Sequence, residues 1–297
     1  MKINKKPLVL ALVIAAGIAT VATTRVRASV DTQLLALMPP DSQILIGGRV
    51  DQAVVSPLGQ FILTKMAGAP DDIKTKTGFD PRTDLREVVI SPVAKLGAAL
   101  GQFPVTQLET SLTRQNAPVE DYKGFRLIGA PLEKIVFLDG STALIGPSDV
   151  VRPAIDRWIA HAQAPANEMT AKALDVSATS QGWVAATNLS AIQALIGPGP
   201  QDGPQAEIAR NILNKITGFS GQITLPPTGG VSVQGQVLAT SAQDAQTLFD
   251  AYNALKLLAP AEATNNPIFS ALQVNVNGSS INTSLSLTEQ QVETTLH

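Results

Sequence analysis

The chain has 297 residues, 44% of them apolar and only 15% charged. That balance suits a polypeptide that buries a core, and it excludes a disordered polyelectrolyte. With no Cys and only two His, disulfide scaffolds, Cys-zinc sites and thiol nucleophiles are excluded, and a His-based metal site or triad has little material.

Chain order begins with an export signal. Lys2, Lys5 and Lys6 form a basic start, and an uncharged apolar run follows from Pro7 to Ala22. Sixteen residues make about 24 Å of helix, short of the ~30 Å hydrocarbon core of a bilayer. Val26 and Ala28 occupy the −3 and −1 positions of a small-residue cleavage site, so residues 1–28 read as a secretory signal peptide and Ser29 as the first mature residue. Arg25 and Arg27 support the alternative of an uncleaved segment at the inner membrane. The absence of Cys excludes a lipid-anchored form. The expected location is periplasmic or secreted, with no membrane insertion after cleavage.

The signal also distorts the charge balance. The whole chain carries 22 Lys and Arg against 24 Asp and Glu, a net charge of −2. Five of those bases and none of the acids precede Ser29, which leaves 17 bases, 24 acids and a charge of −7 over 269 residues. An acidic mature protein argues against nucleic acid as a partner.

Length predicts about two domains, and spacing supports an internal duplication. Ser42-Gln43-Ile44-Leu45-Ile46 and Ser180-Gln181-Gly182-Trp183-Val184 are strand-like and lie 138 residues apart. Asp139-Gly140 and Asn277-Gly278, also 138 apart, are Asx-Gly pairs that predict type I′ hairpins. Pro92 and Pro226, 134 apart, each interrupt a pair of strands. Each half reads strand, helix, strand, strand, helix, strand, strand, helix.

This order predicts an α+β fold of two tandem ferredoxin-like units, 29–165 and 166–297, each an antiparallel sheet with helices on one face. In the first half, Phe61, Ile62 and Met66 predict a helix after Ser56-Pro57, and Ala67 to Arg86 a long loop. Val105, Leu108 and Leu112 predict a second helix, and Tyr122 to Ala130 an extra strand. Ile155, Trp158 and Ile159 predict the closing helix. In the second half, Gly197 to Pro204 reads as a long loop. Ala245, Leu248, Phe249, Tyr252 and Leu255 lie on one face of a helix opened by Thr240-Ser241. Gln273 to Leu287 alternates at period two, which predicts a sheet with one wet face. Thr288 and Gln291 form a capping box.

Motifs for chemistry are sparse. His161 and His297 stand apart, and Asp71-Asp72 and Glu120-Asp121 are pairs without metal-ligand spacing. No nucleophile elbow, SxxK motif, Walker pattern or GxGxxG occurs. The segment Phe79-Asp80-Pro81-Arg82-Thr83-Asp84-Leu85-Arg86 reads as an Asp-Pro turn with local ion pairs, or as an Arg cluster for an anion. Trp183 reads as core, and a tryptophan in a cleft between units would mark a ligand site. The sequence therefore nominates no catalytic residue, no metal ligand and no cofactor.

The opening Leu37-Met38-Pro39-Pro40-Asp41, the helix start Ser56-Pro57-Leu58-Gly59-Gln60-Phe61, the loop Gly78-Phe79-Asp80-Pro81 and the hairpin Phe137-Leu138-Asp139-Gly140 resemble a family of exported bacterial proteins of unknown function. The resemblance covers mainly the first half and implies no activity. The functional expectation is a non-catalytic binding or scaffold module of the cell envelope, acting on an envelope protein or a small ligand. The alternatives are a hydrolase using carboxylates or a Ser in the cleft between units, and a carrier of an apolar ligand.

Overall fold

A computed structural model describes residues 29–60, 69–114, 116–188, 211–226, 229–258 and 267–296. The expected signal segment, the helix expected around Phe61 to Met66, the loop expected over Gly197 to Pro204 and His297 lie outside them, as does the side chain of Leu255. Among the described residues no helix is long and apolar enough to cross a membrane.

The first half runs α1 (Thr32–Leu37), β1 (Ile44–Arg49), α2 (Val50–Ala53), α3 (Ala69–Thr77), β2 (Leu85–Ser91) and β3 (Leu96–Gly101). It continues with α4 (Val105–Arg114), β4 (Val119–Tyr122), β5 (Phe125–Ile128), β6 (Lys134–Phe137), β7 (Thr142–Gly146) and α5 (Ser148–Ile159). The second half contains α6 (Glu168–Ser177), β8 (Gly182–Ala186), β9 (Ile216–Thr224), β10 (Val231–Ala239) and α7 (Ala242–Leu258). It closes with α8 (Pro267–Ala271), β11 (Gln273–Asn277), β12 (Ser280–Leu287) and α9 (Glu289–Leu296).

Among the described residues all twelve strands join one antiparallel sheet, in the order β11-β12-β10-β9-β8-β1-β2-β3-β7-β6-β5-β4. The fold is therefore mixed α+β, as the strand and helix periodicities predict. The strand order departs from the ferredoxin-like expectation. There, the helix after the first strand is a crossover that keeps the second strand out of contact with the first. Here β2 pairs directly and antiparallel with β1, Ile46 opposite Ile90, so the chain between them returns to its neighbour instead of crossing over. The two halves meet at β1 and β8, where Ile46 lies opposite Val184.

Helices also cover both faces of the first half, not one. Val89, Ala98 and Leu144 pack under α1 and α5, with Leu34, Leu35, Val151 and Ile155 in the same core. Val88 and Ala99 face the other way, into a cluster with Val50, Phe79, Leu85 and Leu108. The reason lies in the strands. β2 and β3 are nearly continuous apolar runs, buried at almost every position, and a strand apolar on both sides needs cover on both sides.

Three local expectations are corrected. Ala67 to Arg86 is not all loop, because 69–77 is helical. Asp71 and Asp72 in its first turn and Lys74 and Lys76 in its last complement the helix dipole where apolar periodicity is weak. Tyr122 to Ala130 is not one strand. Lys123 and Gly124 both take positive φ, 51° and 87°, and turn the chain into the β4–β5 hairpin. The Asx-Gly hairpins form, but not as type I′ turns. Asp139 accepts hydrogen bonds from the backbone N–H of Ser141 and Thr142, both at 2.7 Å. In the second hairpin Asn277 pairs with Ser280 and Gly278 takes φ 58°, the positive φ that a type II′ turn needs at its first central position.

The second half shows the expected wet face. Val231, Val237, Ile281 and Leu287 pack, with residues of α7, α8 and α9, on one side. The other side carries four rows read from the pairing of β9, β10, β12 and β11. They are Thr224-Ser232-Ser286, Gln222-Gln234-Ser284-Gln273, Ser220-Gln236-Asn282-Asn275 and Gly218-Leu238-Ser280-Asn277. Two helices at this end are capped as predicted. Ser241 Oγ accepts the Asp244 N–H at 3.0 Å, and the Thr288 N–H donates to Gln291 Oε1 at 2.8 Å while Thr288 Oγ1 accepts the Gln291 N–H.

Candidate functional site

The groove between α1 and the end of α5 is built from two helix termini. Asp31 caps α1 by accepting the Gln33 N–H at 2.8 Å, and buried Leu34, Leu35 and Leu37 fix the helix on the core. α5 ends in a Schellman turn: the Ala162 N–H donates to the Arg157 carbonyl and the His161 N–H to that of Trp158. His161 takes the left-handed conformation, φ 48°, a position usually given to Gly. This turn sets Arg157, Trp158 and His161 beside Gln33 and Leu37 around an open groove of about 340 Å³.

Arg157 is the charged group in the groove wall. Its Nη2 donates to the Leu37 carbonyl at 2.7 Å, while its Nε is buried with no hydrogen-bond partner among the described residues. Burial pushes the guanidinium's pKa below its ordinary value, against the through-space pull of Asp156 and Asp41. The carboxylate of Asp156 is engaged elsewhere, with Lys123 at 2.8 Å and the Tyr122 hydroxyl at 3.1 Å. A half-buried cation beside an indole suits an anionic group attached to an apolar body. The eight residues around the groove include no carboxylate and no hydroxyl side chain.

A second polar cluster lies under the start of α1. Glu87 is only 4% exposed and sits opposite Arg49 in the β1–β2 register. Its Oε1 accepts the Asp31 N–H at 3.4 Å. Burial raises its carboxyl to about 7, with Arg49 pulling the other way. Trp183 lies against Gly47 so closely that a Cβ there would stand 2.3 Å from the ring. The indole N–H of Trp183 is buried without a partner among the described residues. Trp183 is therefore core, as its strand position predicts.

The remaining sequence-marked residues are local structure. In the 78–86 segment, Arg82 grips Asp80 through Nε and Nη2, at 2.8 and 2.9 Å, and reaches Asp71 at 2.7 Å. These bonds hold the Asp80 carboxyl down to about 2. Phe79 stacks on Phe103, centroids 5.4 Å apart, and pins the loop. Asp72 pairs with Lys76, and Glu120 with Arg152 and Lys134. Among the described residues no three His, Asp or Glu side chains converge as a metal site would require.

Sequence reading missed Arg157 while marking its neighbours Trp158 and His161. Its partner, the Leu37 carbonyl, is 120 residues away, and no local pattern reports that contact.

No protein-family model and no curated protein matches the chain. Among solved structures the fold is similar to that of TP0453. Crystal form III superposes with a TM-score of 0.55 at 11% identity over 90% of this chain and 98% of that one. Crystal form I gives 0.51 at 11% identity, over 91% and 98%. At this identity the likeness is one of fold.

Proposed function

We propose that the protein is an exported, non-catalytic binding module of the cell envelope whose groove between α1 and α5 takes an anionic ligand with an apolar portion. The observation that carries this reading is the half-buried Arg157 guanidinium beside Trp158 in the groove wall. Binding is favoured over hydrolysis because the groove wall supplies a fixed cation and an indole, while its one imidazole, His161, has neither a carboxylate nor a hydroxyl nucleophile beside it in that wall. Export rests on the signal pattern of residues 1–28.

The module is a duplicated unit. What supports duplication is that β1-β2-β3-β7-β6 and β8-β9-β10-β12-β11 have the same topology. A helix precedes the first strand of each half, and residues 138 apart in sequence, Ile46 and Val184, face each other where the halves meet.

The test is tryptophan fluorescence of the full chain titrated with a panel of aliphatic and aromatic carboxylates and phosphate monoesters. An anionic ligand is expected to change Trp158 emission. Arg157→Gln is expected to weaken it at least about tenfold, the loss of a charge-assisted hydrogen bond. A ligand set dominated by neutral compounds, or an unchanged affinity in the variant, would overturn the reading.

A further inference from the structure

The wet face of the second half stands apart from the groove and is unusual in what it lacks. Of its fifteen positions on β9 to β12, thirteen carry an amide or a hydroxyl and none is charged. Gln234, Gln273, Asn275, Asn277 and Ser286 are exposed. The only aliphatic side chain in the rows is Leu238. Exposed sheet faces and edges are ordinarily protected by charge, since an uncharged, β-prone surface invites association. Residues 29–297 have 24 acids and 17 bases, yet none stands in these rows, and the Lys172 ammonium of α6 approaches only the buried Gly218 end.

The amides are already ordered. Gln222 Nε2 donates to Gln234 Oε1 at 2.6 Å, Gln236 Nε2 to Asn282 Oδ1 at 3.3 Å, and Asn282 Nδ2 to Asn275 Oδ1 at 3.5 Å. Each donating amide keeps a second N–H, and each accepting oxygen a second lone pair. The face is therefore a grid of paired donors and acceptors, spaced about 4.8 Å across strands and about 6.7 Å along them.

We infer that this face binds a neutral glycan, a chain of hydroxyl and acetamido groups. Charge and hydrogen-bonding character select that occupant. Sugar hydroxyls both donate and accept, as these amides do, and require no counter-charge. Nucleic acid or an anionic membrane would need cations. A second protein copy would need an apolar centre, because a stable interface buries a hydrophobic core, and Leu238 alone does not supply one.

The experiment is calorimetry of the full-length mature chain with a neutral oligomer of six β-linked N-acetylglucosamine units, at low and high salt. Sedimentation of the free protein accompanies it. Binding is expected, with an affinity that salt leaves unchanged. The triple variant Gln222→Ala, Gln234→Ala, Asn275→Ala is expected to lose at least about tenfold in affinity, as removal of several hydrogen bonds predicts. Gln234→Glu serves as a second variant at an exposed position, and circular dichroism checks that both retain the fold. No heat of binding, an affinity the variants do not change, or self-association of the free protein that the triple variant abolishes would each overturn the inference.

Discussion

Glu87 shows what a single side chain contributes to this fold. It is nearly sealed beneath the start of α1, and its carboxyl is raised from 4.5 to about 7 by burial. The folded chain therefore holds a proton that the unfolded chain releases between those values. Stability is greatest below about pH 4.5 on this account and falls as pH rises through about 7, by at most ~3 kcal/mol. Asp80 acts with the opposite sign in a different window. Held at about 2 by Arg82, it stabilises above its ordinary value near 3.8 and loses that contribution as pH falls through about 2. We expect Glu87→Gln to remove the decline between pH 4.5 and 7 in denaturant melts, while the loss at lower pH persists. An unchanged profile would show that Glu87 does not titrate in that window. None of this was legible from the sequence, because Glu87 in Leu85-Arg86-Glu87-Val88 looks like a solvated charge. Only the helix laid over it, with Asp31 at its cap, removes the water.

At the scale of elements, the end of α5 shapes both the stability of the fold and the proposed binding groove. The Schellman turn requires a left-handed residue at His161, and a non-Gly residue there costs about 1 kcal/mol. We expect His161→Gly to raise the stability of the protein by roughly 0.5–1 kcal/mol in chemical denaturation, with the Arg157–Leu37 bond and the groove retained. A destabilised variant would mean that the imidazole itself holds the groove together. Element-scale features were partly legible. The 3.6-residue spacing marked α4, α5 and α7, and the Thr288–Gln291 box marked α9, because apolar stripes and caps are written in adjacent residues. α1 and α6 went unread, since six and ten residues beside prolines and polar neighbours carry too few repeats to show a stripe. Asx-Gly chemistry located two hairpins but not their turn types, because Asp139 works as an acceptor and the positive φ falls on Gly278 alone.

At the scale of the whole molecule, one continuous sheet joins the two halves through β1 and β8. α6, which belongs to the second half, packs on β1 as well as on β8 and β9. Separated halves, 29–165 and 166–297, would each expose a buried apolar strand as a new edge, Ile44–Arg49 or Gly182–Ala186. We expect each to aggregate or remain unfolded when expressed alone, and the pair to form a soluble complex when co-expressed. A half that melts cooperatively alone would show that it carries a self-sufficient core. The sequence by itself determined the signal-like pattern of residues 1–28, the acidic charge of residues 29–297, the α+β class, most strand positions, the helices α4, α5, α7 and α9, and the wet face of β11 and β12. Those properties are sums or short-range periodicities. Tertiary structure alone decided the single sheet, the cover on both faces of β2 and β3, the buried Glu87 and the Arg157 groove. Each of these depends on which distant segments become neighbours, and contacts between Leu37 and Arg157 or Ile46 and Val184 leave no trace in local spacing.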